Sequence, residues 1–293
     1  MSHKAGFVNI IGYPNVGKST LMNALVGEKL SIITSKAQTT RHRILGIVNG
    51  DDFQIVYSDT PGIIRNPAYK MHGMMNSYIE TALQDADIIL LMTEPGLKFS
   101  EEKILQNVVL SSVPVLVLIN KIDLSSQEVV EEQIEYWKEQ IPRAEVMPVS
   151  ALQHFNIEKV FDNILERLPE SPAYYPKDEF TDRSERFFVS EMIREKIFLN
   201  YKKEILYSVE VAIELFQETE KLIKIFAVIF VERDSQKGII LGHNGNAIKK
   251  TGIMAREAIE EFFGKKVYLQ LTVKVNKDWR NNDNTLERFG YDH

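Results

Sequence analysis

The 293-residue chain has no cysteine, which excludes a disulfide framework and any thiolate metal site, and fits a reducing compartment. No apolar run approaches the roughly 18 residues expected of a membrane span; the best candidates, "DIILLM" and "VPVLVLIN", have the length of buried strands. The opening "MSHKAGFVNIIGYPNVGKS" lacks a basic head followed by an uninterrupted apolar stretch, so no secretory leader is expected. A cytoplasmic protein is expected. Histidine is sparse as well, and the six present have no metal-ligand spacing.

No charge of one sign dominates. The net charge of −6 is unevenly spread: residues 1–178 carry 16 Lys+Arg against 22 Asp+Glu, whereas residues 237–280 carry 9 against 4. That local basic excess is what phosphate contacts need, so overall acidity does not exclude a nucleic-acid partner.

What is present points to two domains, as the length allows. Strand patterns at 7–12, 43–48, 53–58, 87–93, 113–119 and 144–149 alternate with helical patterns at 18–27, 73–84, 100–110, 127–140 and 155–168. Such alternation predicts βαβ units and a mostly parallel sheet. "NGDD" between the second and third strands reads as a hairpin, hence one antiparallel edge strand. In "LPESPAYYPKDEF", Pro169, Pro172 and Pro176 break all periodicity and predict a stiff linker over 171–180, between a domain at 1–170 and another at 181–293. Beyond it come a helix near 184–199, alternating segments at 205–217 and 221–232, a short turn at 237–241, a helix at 246–263 and a strand at 266–275. This order predicts a separate α+β domain.

Two stretches carry chemistry. Gly12-Tyr-Pro-Asn-Val-Gly17-Lys18-Ser19 matches G-x-x-x-x-G-K-[ST], between a predicted strand and a predicted helix. Its glycines let backbone N–H groups turn toward phosphate oxygens, Lys18 reaches the β- and γ-phosphates, and Ser19 offers a hydroxyl to Mg²⁺. "NKID" (Asn120, Lys121 and Asp123) follows a strand at the carboxyl end of the sheet. The Asp123 carboxylate can accept from N1–H and the 2-amino group of guanine, and adenine has neither donor. "VSAL" (149–152) would offer the Ala151 N–H to guanine O6. "DTPG" (59–62) supplies Asp59 for Mg²⁺ through water and the Gly62 N–H for a γ-phosphate, and a threonine of "KAQTTRHR" (36–43) could bind Mg²⁺ while that phosphate is present. The second stretch, "GHNG" (Gly242, His243, Asn244 and Gly245), starts a helix whose first turns carry Lys249 and Lys250. A glycine turn there lets a sugar–phosphate chain approach closely.

With GYPNVGKS, TTR, DTPG, NKID and SAL in place, residues 6–168 resemble the translation-factor-related class of P-loop GTPases. The resemblance implies that Thr40 is the switch threonine and that Ser19, Thr40 and Asp59 hold the metal. It implies nucleotide contacts at Gly12, Asn15, Val16, Gly17, Lys18, Ser19, Thr20, Thr40, Asp59, Thr60, Pro61, Gly62, Asn120, Lys121, Asp123, Ser150 and Ala151, with Lys18, Thr40 and Asn15 serving catalysis. Related GTPases with "PNVGKS" use the asparagine beside a potassium ion, so K⁺ is a second expected cofactor. One departure stands out: Ile63 sits where Ras-type GTPases keep a water-orienting glutamine. The second half resembles a type-II KH domain, whose loop clamps a single strand of about four nucleotides.

The combination resembles the Era family, bacterial GTPases of small-ribosomal-subunit assembly, over nearly the whole chain. That resemblance implies binding of GTP and GDP, of the 3′ end of small-subunit (16S) ribosomal RNA and of the 30S subunit. It also implies a monomer, with peripheral association at the inner face of the cell membrane. Two other readings compete. A GTPase of transfer-RNA modification would want a cysteine or a one-carbon cofactor domain. A non-enzymatic RNA-binding protein with a purely structural nucleotide site fits poorly with intact Lys18, Ser19, Thr40 and Asp59.

Overall fold

A computed structural model describes residues 3–34, 36, 38–100 and 102–291, without the side chains of residues 102, 203 and 204. The chain divides into two compact units, residues up to 182 apart from 68–71, and 68–71 with 183 onward.

The first unit is built on β1 (Lys4–Gly12), β2 (Ile44–Asn49), β3 (Phe53–Asp59), β4 (Ile88–Thr93), β5 (Val115–Ile119) and β6 (Glu145–Pro148). Every residue of β4 and β5 is buried, which is why both read as unbroken apolar runs. The strands form one sheet in the order β2-β3-β1-β4-β5-β6. All neighbours are parallel except β2 and β3, whose antiparallel pairing runs from Asn49↔Gln54 to Ile44↔Asp59, as the "NGDD" hairpin predicts. The helices are α1 (Lys18–Val26), α2 (Lys70–Gln84), α3 (Glu102–Leu110), α4 (Gln127–Gln140) and α5 (Ile157–Arg167). From β1 the chain turns to β3 on one side of the sheet and then to β4 on the other, so the loop after β1 opens at a topological switch point, where ligands of α/β sheets bind.

The second unit contains α6 (Glu185–Asn200), α7 (Lys203–Leu206), β7 (Glu210–Glu218), β8 (Leu222–Val231), α8 (Asp234–Leu241), α9 (Asn246–Phe263), β9 (Lys266–Val275) and α10 (Asp283–Arg288). Its sheet has the order β7-β8-β9, with β8 antiparallel to β7 and parallel to β9. The α-β-β-α-α-β order is that of a type-II KH domain. Helices α6 and α9 pack together. Ile193, Ile197, Ala255 and Ile259 from them meet Ile223, Ile225, Ile229 and Val267 of the sheet. Two local features differ from the periodicity. The segment expected to alternate from 205 starts as the short helix α7, and α10 follows β9 unannounced. Asn282 caps α10, accepting from Thr285 N at 3.0 Å. Trp279, just before it, is fully buried and donates from Nε1 to Ser208 O at 3.0 Å. Trp137 is fully buried too, so both tryptophans pack.

The proline-rich segment is not a free spacer. Gln54, fully buried on β3, spends its whole side-chain amide on it and on Asn49. Its Oε1 accepts from Tyr174 N (2.7 Å) and Tyr175 N (3.0 Å), and its Nε2 donates to Tyr175 O and Asn49 Oδ1 (both 2.8 Å). Farther along, Ile47 N donates to Phe180 O at 2.9 Å, Leu45 N to Asp182 Oδ1 at 3.1 Å, and Thr181 Oγ1 to Leu45 O at 2.7 Å. The outward polar groups of β2 are thus paired with residues 180–182. Prolines supply stiffness, and the sheet edge supplies the partners. Residues 171–182 therefore belong to the first unit, and the expected boundaries at 170 and 181 move to 182/183.

Replacing Gln54 with Leu keeps the volume but orphans two backbone N–H groups, each costing about 1–3 kcal/mol. Thermal unfolding of Gln54→Leu should fall by about 2–4 °C per kcal/mol lost, and limited proteolysis within 172–182 should accelerate. An unchanged cleavage rate would show that the amide does not hold the segment.

Candidate functional site

The loop from Gly12 to Lys18 runs directly from the buried β1 into α1. Gly17 has φ 101°, and a Cβ there would lie 2.2 Å from Asn120 Nδ2, so only glycine allows the two loops to meet. Asn120 uses that proximity: its Nδ2 donates to Val16 O at 2.8 Å, its Oδ1 accepts from Ala151 N at 2.9 Å, and its backbone N donates to Thr93 O at 2.9 Å. The ends of β1, β4, β5 and β6 are tied through one side chain and its own amide.

The loops enclose a cavity of about 520 Å³. Asn15, Gly17, Lys18, Ser19, Thr20, Thr40, Thr60, Gly62, Asn120, Lys121, Asp123 and Ser150 line it. Gly12, Val16, Asp59, Pro61 and Ala151 stand behind that wall. The buried Lys18 ammonium donates to Gly12 O at 3.0 Å and Tyr13 O at 2.9 Å. Burial pulls its pKa down to about 8, against the opposing pull of Asp59.

Asp59 is fully buried, and desolvation pushes its carboxyl above the usual range, although Lys18 and hydroxyl donors oppose the shift. Its Oδ2 accepts from Ser19 Oγ at 2.7 Å and Thr40 Oγ1 at 3.4 Å, and those two hydroxyls lie 2.9 Å apart. Its Oδ1 is buried with no hydrogen-bond partner among the described residues. Two hydroxyl oxygens beside a buried carboxylate fit Mg²⁺.

At the other end of the cavity, Asp123 Oδ1 accepts from Ser150 Oγ at 2.6 Å, and Lys121 Nζ pairs with Glu94 at 2.6 Å. The Ala151 N–H is donated to Asn120 Oδ1 at 2.9 Å, so Ala151 takes part in the loop tie. Sequence reasoning also passed over Leu124 and Leu152, which line the cavity at 79% and 72% exposure. Their signal was an apolar residue directly after each of "NKID" and "SA", where a loop has no core to face. Ile32, Ile33 and Gln38 line the cavity as well and were also missed.

In the second unit, Gly242 (φ 69°) and Gly245 (φ 75°) bracket a 3₁₀ turn over His243–Gly245, and Gly245 caps α9 in the left-handed region. Open space surrounds the Gly245 Cα, and Lys249 and Lys250 are exposed beyond it. His243 and Asn244 are exposed at the tip, their side chains 3.2 Å apart. Beside the turn runs a groove of about 480 Å³ between Ile248, Gly252 and Ile253 of α9 and Leu269 and Leu271 of β9, with Lys249 and Arg256 also lining it. This groove leaves no trace in the sequence, because its apolar walls have the same spacing as core positions.

Residues 7–121 match the family described as "50S ribosome-binding GTPase", and residues 204–280 match the KH domain. The chain is 42% identical over 291 residues to GTPase Era of Clostridium kluyveri, covering 98% of this chain and 99% of that protein. It is 41% identical over 292 residues to GTPase Era of Staphylococcus haemolyticus, covering 99% and 97%. Among solved structures, it matches Era in complex with MgGDPNP and nucleotides 1506–1542 of 16S ribosomal RNA with a TM-score of 0.94 and 37% identity, over 99% of this chain and 100% of that one. An Aquifex aeolicus Era variant bound to GDP·AlF4− gives the same TM-score of 0.94 and the same coverage.

The Lys18 shift carries a pH dependence. A bound phosphate favours the ammonium, so binding raises the Lys18 pKa. Nucleotide affinity is then full below the free-protein value of about 8 and is lost as pH rises through it. Titration with fluorescent GDP between pH 7 and 9.5 should show affinity falling toward about tenfold per unit above pH 8. A flat profile to pH 9.5 would mean that the ammonium is not the phosphate's partner.

Proposed function

Because the chain belongs to the Era family of GTPases, we propose that it is a GTP-driven switch that binds the 3′ end of 16S ribosomal RNA and assists maturation of the 30S subunit. The observation that carries this reading is the convergence of Ser19, Thr40 and Asp59 beside Lys18, in a chain that also carries a glycine-capped, lysine-flanked groove of KH type. The relative solved with MgGDPNP and 16S nucleotides supports both halves.

Within this reading, backbone N–H groups of the Gly12–Lys18 loop and the Lys18 ammonium hold the β- and γ-phosphates. Asp123 reads the guanine edge while Leu124 and Leu152 cover its faces. Mg²⁺, held by Ser19 and Thr40 with Asp59 behind them, neutralises charge on the phosphate oxygens. Thr40 and Gly62 respond to the γ-phosphate, so the segments 31–42 and 62–73 order with GTP and loosen with GDP. Residues 35 and 37 of the first segment lie outside the described residues. In the second unit, Gly242, His243, Asn244 and Gly245 receive a sugar–phosphate chain, Lys249 and Lys250 neutralise it, and the groove of Ile248, Ile253, Leu269 and Leu271 takes bases. A cytoplasmic monomer, at times at the inner face of the cell membrane, completes the reading on the strength of the family alone. No helix among the described residues is long and apolar enough to cross a membrane.

Potassium is the second cofactor of this reading. Asn15 lines the nucleotide cavity with a left-handed backbone (φ 66°), which supports that role. GTP turnover should be faster in KCl than in NaCl of equal ionic strength, and Asn15→Ala should remove the difference. Equal parent rates in the two salts would end the potassium assignment.

The RNA half is tested by titrating a single-stranded fragment of the 16S 3′ end against GTP-analogue and GDP forms. The affinities should differ, and by linkage the RNA must shift nucleotide affinity by the same factor. Gly245→Asp should abolish binding in both forms, since it puts a carboxylate where a phosphate must approach and strains a φ of 75°. Undiminished RNA binding by that variant would place the RNA elsewhere on the protein.

A further inference from the structure

Hydrolysis needs a side chain that fixes the attacking water, and the usual position cannot supply one. Ile63 is apolar and 3% exposed, and its backbone N–H is directed to Gly12 O at 3.4 Å. The other polar side chains lining the cavity near Thr40 are largely engaged. Thr34 and Thr39 bond each other at 2.6 Å, Thr39 also donates to Lys36 O at 2.7 Å, and Thr60 donates to Ile10 O at 2.7 Å. Ser19 and Thr40 face Asp59, and Asn120 has both ends of its amide bound.

Gln38 differs from all of these. It lines the nucleotide cavity two residues before Thr40. Its Oε1 is buried and accepts no hydrogen bond among the described residues. Its backbone has φ 57°, a left-handed conformation that glutamine seldom adopts and that persists only where surroundings enforce it. A buried acceptor without a donor is costly unless the working site supplies one.

We propose that Gln38, delivered by the segment before Thr40, is the catalytic side chain that orients the attacking water. Its Oε1 accepts a hydrogen from the water, and its Nε2 can donate to a γ-phosphate oxygen. The water oxygen forms the new bond to the γ-phosphorus, and the bond from that phosphorus to the β–γ bridging oxygen breaks, leaving its electron pair on GDP. The water proton passes to a phosphate oxygen, so Gln38 is unchanged after turnover. An acceptor in this segment also makes water orientation depend on the same loop that senses the γ-phosphate.

The inference rests on the assignment of the nucleotide site, and the test separates the two. In the full-length protein with Mg²⁺, single-turnover hydrolysis by Gln38→Ala should fall about 10²-fold. Its affinities for GDP and a non-hydrolysable GTP analogue should stay within about threefold of the parent, and assembly of the GDP–aluminium fluoride complex should be lost. Gln38→Glu, which keeps an acceptor, should retain more activity than Gln38→Ala. A Gln38→Ala rate within about threefold of the parent overturns the proposal. So does a loss of rate matched by an equal loss of analogue affinity, which would mark Gln38 as a loop-shaping residue, or equal rates in the Ala and Glu variants. Failure of the parent itself to bind guanine nucleotides would instead strike the site assignment.

Discussion

The nucleotide site hangs on a single carboxamide. Asn120 donates to the phosphate loop at Val16, accepts from Ala151 after β6 and is held at its own backbone by the end of β4. Without that amide, the phosphate loop loses its side-chain tie to the loops after β5 and β6. A β-sheet fixes where its strands end but not how the loops beyond them lean. One short, fully used side chain converts several strand ends into one cavity wall, and Gly17 is the concession that lets it come close enough. Asp123 and the Gly12–Lys18 loop inherit their separation from this tie.

A second constraint is the buried charge at Asp59. Burial alone would push its carboxyl toward the neutral form, and the pocket counters with one ammonium and the hydroxyls of Ser19, Ser31 and Thr40. This arrangement is balanced without being saturated, because Oδ1 has no hydrogen-bond partner among the described residues. In the proposed reading, a divalent cation with phosphates attached would complete the balance. Thr40 is one of those donors, so the electrostatics of a buried aspartate bear on where the segment before β2 rests. A switch of this kind needs no moving domain to be understood locally. It needs a carboxylate too dry to be content alone and a hydroxyl on a loop able to leave.

Much of this was legible in the residues. The sheet, its antiparallel edge and the positions of Lys18, Ser19, Thr40, Asp59 and Asn120 follow from apolar runs and from motifs whose spacing is set by phosphate and guanine. Other features are tertiary in origin and leave no periodic trace. Gln54 looks like an ordinary polar strand residue until a second segment is laid against it. Ala151 sits in a short loop after β6, and only the fold reveals that its N–H is donated to Asn120. The groove between α9 and β9 is invisible because Ile253 and Leu269 have the spacing of core residues, and an exposed face differs from a buried one only once a partner is absent. Gln38 sits in a polar loop whose composition says nothing, and its interest arises from a backbone angle and a buried oxygen.

The strap of residues 171–182 also bears on what can be separated from what. A sheet edge with unpaired N–H and C=O groups is a template for a neighbouring chain, and β2 is such an edge in every respect except that Phe180, Thr181 and Asp182 lie along it. A nucleotide-binding fragment ended at residue 170 would bare that template and invite edge-to-edge aggregation, however complete its catalytic residues. Ended after Asp182, the fragment keeps its edge covered. Residues 180–182, carried by the proline-rich stretch, therefore shield an edge of the domain before them.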